Sequence, residues 1–268
     1  MKMEVILWGT RGTCPLPDNP SKYGGQTTCM SIQSSDSDIL IIDAGTGIRQ
    51  LGKKLKNSGS DIHILLTHVH WDHIHGFPFF EPLYEKDRAI HIYSPNGKKS
   101  THYLTEQLDG IRFPVHIKQL PSKIEEMPNL NLLGERFPYT ITPIESNHSG
   151  ICYGYKIKNE DKSLVFLSDN QLHEGPFQKH TFDDFIQFCS GADLLIHDAQ
   201  YTQEDLPKKQ QYGHSIIDEV YTLAEKAKVK KLILCHHDPD REDEEIDAMV
   251  KNSPIPCEAG YDGMKFTL

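Results

Sequence analysis

Thr67-His68-Val69-His70-Trp71-Asp72-His73 is the stretch on which the reading of this 268-residue chain turns. It follows a largely apolar run over 62–66, a candidate strand, and loops at strand ends are where α/β folds place their sites. Three histidines and one aspartate within six positions are too many for a core. Neutral imidazoles and carboxylates are the donors that zinc and other borderline divalent ions take. His68 and His70, two apart, can point the same way in an extended turn, and Asp72 and His73 then address a second point beside the first. A histidine-rich loop that is merely solvated has no reason to keep HxHxDH spacing, which is far more specific than a lone HxH.

Outward from the motif, short apolar runs alternate with helical patterns. The runs predict strands over 5–8, 29–33, 39–43, 62–67, 90–93, 140–144, 152–157, 164–168, 194–196, 231–235 and 265–268. The helical period predicts helices over 47–56, 101–108, 182–188, 215–226 and 241–251. The helix from Ser215 carries a capping box, Ser215-x-x-Asp218. Asp238-Pro239-Asp240 is expected to open the last helix, with a cap and a first-turn proline. This mixture predicts a layered α/β domain. The stretch 76–136 is less regular and holds two proline-aromatic clusters, which suggests an insertion covering a site. Phe77, Phe79, Phe80 and Tyr84 could stack there on a flat group, with ordinary core packing as the alternative.

Composition narrows the class. A hydrophobic share of 37% beside 25% charged residues is that of an ordinary globular chain. The net charge of -10 counts against a grip on long nucleic acid, which usually needs a basic face. The opening residues form too short an apolar run, interrupted by Glu4, for a signal peptide. No run approaches the ~20 apolar residues of a spanning helix. The six cysteines are scattered without a CxxC pair and read as reduced thiols, mostly buried. A cytoplasmic protein with no membrane partner is expected.

HxHxDH at a strand end resembles the metallo-β-lactamase superfamily, and further landmarks follow in order. Asp43-Ala44-Gly45-Thr46-Gly47 resembles its DxGxG turn. His148, in Asn147-His148-Ser149-Gly150, is similar to its third histidine ligand. Asp169, in Leu167-Ser168-Asp169-Asn170, is similar to its bridging carboxylate, and His236, directly after Leu232-Ile233-Leu234-Cys235, to its final histidine. The resemblance spans nearly the whole chain and is weakest over 76–136. It implies one domain over 1–268 with a four-layer αββα sandwich and the metals at one sheet edge. It also implies two divalent ions, zinc first, with manganese or iron as alternatives. Two ions ~3.5–4 Å apart can activate one water near neutral pH and clamp both oxygens of a displacement. One ion would take His68, His70 and His148, the other Asp72, His73 and His236, with Asp169 shared. His237 is a neighbouring rival, but His236 comes directly off the strand. Histidine at position 70, where flavodiiron relatives carry glutamate, argues for hydrolysis. Aspartate at 169, where the best-known zinc β-lactamases carry cysteine, argues against antibiotic hydrolysis.

Two further segments, His197-Asp198-Ala199 and Gly213-His214-Ser215, resemble the paired HEAT and HST motifs of the ribonuclease Z and phosphodiesterase branch. That resemblance makes His214 the acid for the leaving oxygen, or a phosphate contact, and Asp198 its orienter; Asp72 counts among both ligands and catalytic residues. A histidine held by a carboxylate suits proton donation near neutral pH, and a helix start at Ser215 welcomes an anionic phosphate. The glycine-bearing loop Gly9-Thr10-Arg11-Gly12-Thr13-Cys14-Pro15, with Tyr23-Gly24-Gly25-Gln26-Thr27-Thr28-Cys29 after it, also resembles the opening of phosphodiesterase-branch proteins; it reads equally as a ligand approach or as a turn between strands.

There are departures. HEAT is His197-Asp198-Ala199 here, with Asp198 one methylene shorter than glutamate, and the HFSxR ending is replaced by His236-His237-Asp238-Pro239-Asp240. From His148 to Asp169 the chain advances only 21 positions, where ribonuclease Z inserts its tRNA-gripping arm. The reading is therefore a two-metal phosphodiesterase acting on a small phosphodiester such as a cyclic nucleotide, with long nucleic acid not expected. A ribonuclease Z-like nuclease is the alternative, and a non-catalytic metal-binding sensor or scaffold the rival from another class. A homodimer is the candidate assembly.

Overall fold

The computed structural model describes residues 2–17, 21–34 and 38–268. The chain divides into two compact units: Met1–Gly9 with Gln26–Pro138 and Asp262–Thr267, and Thr10–Gly25 with Tyr139–Tyr261 and Leu268.

The first unit is built on β1 (Glu4–Gly9), β2 (Cys29–Gln33), β3 (Ile39–Ile42), β4 (Ile62–Leu65), β5 (Ala89–Tyr93), β6 (Lys123–Glu126) and the last strand, β13 (Lys265–Thr267). These form one seven-stranded sheet in the order β13-β1-β2-β3-β4-β5-β6. β1 to β3 pair antiparallel, and β3 to β6 pair parallel. The unbroken Ile39-Leu40-Ile41-Ile42 run is buried at every position, the pattern of a parallel strand covered on both faces. Helix α1 (Ile48–Leu55) buries Ile48, Leu51, Gly52 and Leu55, a one-sided stripe at helical spacing, on the core of Trp8, Ile41, Ile62 and Ile64. α2 (Trp71–Ile74) is a single turn that follows β4 after the segment 66–70; the unit also carries α3 (Lys98–Thr105) and α4 (Asn131–Gly134).

The stretch 76–136, expected as a covering insertion, is woven into this sheet: it supplies β5 and β6, and its Phe77, Phe80, Leu83, Ile90, Ile92, Leu104 and Leu108 enter the core. Phe77 and Phe80 are 0% exposed and cannot stack on a ligand. Phe79, 50% exposed, and Tyr84 remain at the surface.

The second unit carries β7 (Thr140–Glu145), β8 (Tyr153–Asn159), β9 (Lys162–Leu167), β10 (Leu194–Asp198), β11 (Leu232–Cys235) and β12 (Cys257–Ala259) in one sheet, ordered β12-β11-β10-β9-β8-β7. β9 to β12 run parallel, and β7-β8-β9 form an antiparallel meander. Helices α5 (Phe182–Cys189) and α7 (Ile217–Lys226) pack over Val165, Leu195, Leu232 and Leu234, and α8 (Asp243–Asn252) adds Met249 to the same core; α6 (Leu206–Lys209) is a single turn before α7.

Two expected caps are replaced. Ser215 Oγ donates to Asn170 O at 2.5 Å and caps nothing, so α7 starts after Ile216. Asp238 Oδ1 accepts from Asp240 N at 2.9 Å in a local turn, and α8 begins four residues after Pro239 on a Glu242–Glu245 capping box. None of the six cysteines is in a disulfide, and four of them are buried. Among the described residues no helix is long and apolar enough to cross a membrane.

Candidate metal centre

In the first unit, β3 and β4 are parallel neighbours, so their C-terminal ends deliver Asp43 and Thr67 side by side. Asp43, buried at φ +61, accepts from Thr67 N and Thr67 Oγ1, each at 2.7 Å, and lies 2.7 Å from His73 Nδ1. Burial pushes the Asp43 carboxyl above its ordinary value, while His73 and Thr67 pull it down. With Nδ1 so engaged, His73 presents Nε2, 3.5 Å from Asp72 Oδ2. The His68 ring lies 4.4 Å from that of His70 and 4.1 Å from that of His73. The motif strand and turn thus gather His68, His70, Asp72 and His73. Gly45 makes this possible. Ala44 N donates to His73 O at 2.7 Å, and a Cβ on Gly45 would strike the carbonyl of Asp72.

In the second unit, Asp169 follows β9, and its two oxygens address two different imidazoles. Oδ2 lies 3.6 Å from His148 Nε2 and Oδ1 3.4 Å from His236 Nε2. These spacings exceed hydrogen-bond length; a buried carboxylate reaching separately toward two ring nitrogens fits a ligand shared by two ions. His148 Nδ1 is held by Gly213 O at 2.8 Å, which leaves Nε2 on the Asp169 side. A backbone carbonyl on the far nitrogen is the usual brace of a metal-binding imidazole. His236 directly follows β11 and sits at φ +56. His237, the rival, is buried with Nε2 3.1 Å from Gly260 O, and burial pushes its imidazole down to about 3.

The parallel register sets Asp198, the last residue of β10, opposite Cys235, so Asp198 and His236 emerge at the same sheet end. Asp198 is fully buried; Oδ1 accepts from Gln200 N at 2.8 Å and Oδ2 lies 2.7 Å from His214 Nδ1. The His214 ring stacks on His236 at 5.1 Å and 22°, lies 5.1 Å from His148, and meets Tyr201 edge-on. Asp198, His214 and His236 offer ligand atoms within 4.8 Å of one another.

Within each unit the sequence-predicted donors therefore converge, four in the first, and His148, Asp169 and His236 with the Asp198–His214 pair in the second. The bracing atoms were not read from the sequence: Asp43 as the partner of His73, Thr67 Oγ1, the Gly213 carbonyl and Tyr201. Only Asp43 had a signal, its place at the head of the Asp43-x-Gly45-x-Gly47 turn.

Residues 39–237 match the family described as Beta-lactamase superfamily domain. A ribonuclease Z from Pyrococcus horikoshii is 26% identical over 286 residues, covering 88% of this chain and 87% of that protein. Among solved structures, the metallo-β-lactamase fold protein YhfI from Bacillus subtilis aligns with a TM-score of 0.73 at 20% identity over 100% of both chains. A diphosphatase from the PhnP family aligns at 0.72 and 18% identity, covering 100% of this chain and 98% of its own. With the family match running from β3 to His237 and the fold shared along its whole length, the chain belongs to the metallo-β-lactamase superfamily of hydrolases.

Proposed function

We propose that this chain is a two-metal phosphodiesterase acting on a small phosphodiester, a cyclic nucleotide being one candidate. The observation that carries the reading is Asp169, whose two oxygens reach toward His148 and His236 beside a buried Asp198–His214 pair. The ligands assigned on the family's order are His68, His70 and His148 for one ion, Asp72, His73 and His236 for the other, and Asp169 for both. Zinc suits this imidazole-carboxylate set, with manganese and iron as alternatives. When bound, such a pair activates water and neutralises charge on the transferring phosphoryl group. The rest falls to the chain. Asp198 holds His214 through Nδ1, so Nε2 is the nitrogen that meets a substrate oxygen and passes it a proton. Asp43 and Gly213 fix the orientation of His73 and His148.

The interval between His148 and Asp169 supports a small ester. It holds a short loop and the β8–β9 hairpin, whose two-residue turn is Glu160-Asp161, with no inserted arm. The expectation against long nucleic acid is weakened by relatives named ribonuclease Z that align over nearly their full length. An RNA nuclease is therefore the second reading. A scaffold without turnover has no use for a carboxylate-held histidine beside the ligands.

Bis-p-nitrophenyl phosphate with added zinc or manganese, a panel of cyclic nucleotides, and a precursor tRNA separate these readings. Turnover of the small esters without tRNA cleavage supports the proposal, and cleavage of tRNA alone supports the nuclease. A metal-loaded chain that hydrolyses none of them is a scaffold.

A further inference from the structure

Arg11 and Gly12 belong to no ligand assignment, yet they define the space around His236. Their loop runs beside the end of β11. Arg11 bridges His237 in parallel, His237 N donates to Thr10 O at 3.0 Å, and Gly12 N donates to His237 O at 3.0 Å. Arg11 is 1% exposed. Its Nε donates to Gly24 O at 3.0 Å, its Nη1 to Asp238 O at 3.0 Å and Arg241 O at 3.3 Å, and its Nη2 to Ser21 Oγ at 2.7 Å. A planar, permanently charged fork that ties its own loop to the segment after His237 prevents the two from sliding.

Gly12 then meets the ring. A Cβ built on it would fall 2.5 Å from Cε1 and 3.0 Å from Cγ of His236, and nearer still to Nδ1. Gly12 is not among the residues with positive φ, so space and not backbone conformation demands glycine there. The imidazole has little room to yield. It is buried, stacked on His214, and directed at Asp169, and its own backbone already occupies a region that non-glycine residues seldom adopt.

We propose that Arg11 and Gly12 are positioning residues that gauge His236 for its metal ion: Arg11 locks the loop, and Gly12 leaves the one volume in which the ring reaches Asp169. This rests on the reading of His236 as a ligand. The test compares wild type, Gly12→Ala, His236→Ala and the double variant. Each is titrated with Zn²⁺ as the only added ligand against a chelating indicator, and the Tm of each metal-free chain is measured alongside. Wild type is expected to bind two ions. Gly12→Ala should keep one at wild-type affinity and bind the other about 10–100-fold more weakly, the usual effect of disturbing a ligand's support, with a lowered Tm. In the His236→Ala background the same substitution should change neither zinc affinity nor Tm, since the methyl group enters space the ring has left. A loop generally weakened by alanine would not show that cancellation. Two ions at full affinity in Gly12→Ala overturn the proposal, as does a Tm cost that persists undiminished without the ring. If Gly12→Ala does not fold, recovery of folding in the double variant supports the proposal and continued failure overturns it. A wild-type chain that takes up no zinc overturns the metal reading instead, and the Tm comparison still decides whether Gly12 acts through the ring.

Discussion

Replacing His214 by alanine removes one half of a buried pair and separates two roles the histidine could hold. Nδ1 lies 2.7 Å from Asp198, and the ring is packed among His148, His236 and Tyr201. Asp198 keeps its bond from Gln200 N, so it loses one partner and not all of them. A stability cost of ~1–3 kcal/mol follows from the partner lost at a buried acceptor. The catalytic effect is larger and depends on the substrate. General acid catalysis contributes ~10²–10⁴-fold, or ~2.7–5.4 kcal/mol at 1.36 kcal/mol per decade. A ribose alkoxide needs that proton; p-nitrophenolate leaves without it. His214→Ala is therefore expected to retain metal, to keep most of its kcat/KM on bis-p-nitrophenyl phosphate, and to lose ~10²–10⁴-fold on a ribose ester. Asp198→Asn should act in the same direction and more weakly, because the ring remains and only its orientation and charge partner change. The assay is kcat/KM on both esters with metal content measured on the same samples. Equal losses on both esters with metal intact would refute the acid role and leave His214 as a contact to the non-bridging oxygens. Loss of metal would make it a ligand, which its place within 4.8 Å of His236 and Asp198 donors allows.

Three further outcomes are expected. His68→Ala and Asp169→Ala should lose metal by elemental analysis and lose hydrolysis of bis-p-nitrophenyl phosphate; His236→Ala should lose metal where His237→Ala keeps it, and the reverse order would exchange the two neighbours. Phe80→Ala should lower unfolding free energy by ~3–5 kcal/mol, since its ring is fully enclosed, while Phe79→Ala at the surface changes it by ~0.5 kcal/mol or less in denaturant titration. Stability should also fall in acid through His63, which packs against His91, Tyr93 and Phe137, with Asp38, Asp61 and Arg136 nearby. Burial lowers its pKa to about 4, below the ~6.5 of an unfolded chain. The unfolded state takes the proton first, so the contribution is complete above about pH 6.5 and is lost between there and about pH 4. His63→Asn should flatten Tm against pH across that window, and an unchanged slope would exclude His63 as its source.

How far the sequence reached depended on whether a feature was local. HxHxDH after an apolar run was legible because strand, turn and donors are contiguous. The stripe Ile48, Leu51, Leu55 was legible because helical period needs only neighbours. β6 was not, since Lys123-Ile124-Glu125-Glu126 is a half-exposed edge with charged residues, indistinguishable from a loop until β5 pairs with it. β12 is three residues long and exists only through its pairing with β11.

The same division runs through the site. The sequence by itself determined the donor types, their order along the chain and the strand ends that carry most of them, because metal chemistry admits few side chains and the motif spacing is short. Only tertiary structure decided what aims them. Parallel register sets Asp43 beside Thr67 and Asp198 beside the end of β11. Folding carries the Gly213 carbonyl to His148 across 65 positions, and Ser215 to Asn170 where a helix cap was expected. Gly12 lies more than two hundred positions from the ring whose space it preserves. No local pattern encodes such partners, because each is fixed by the pairing of strands and loops distant in sequence.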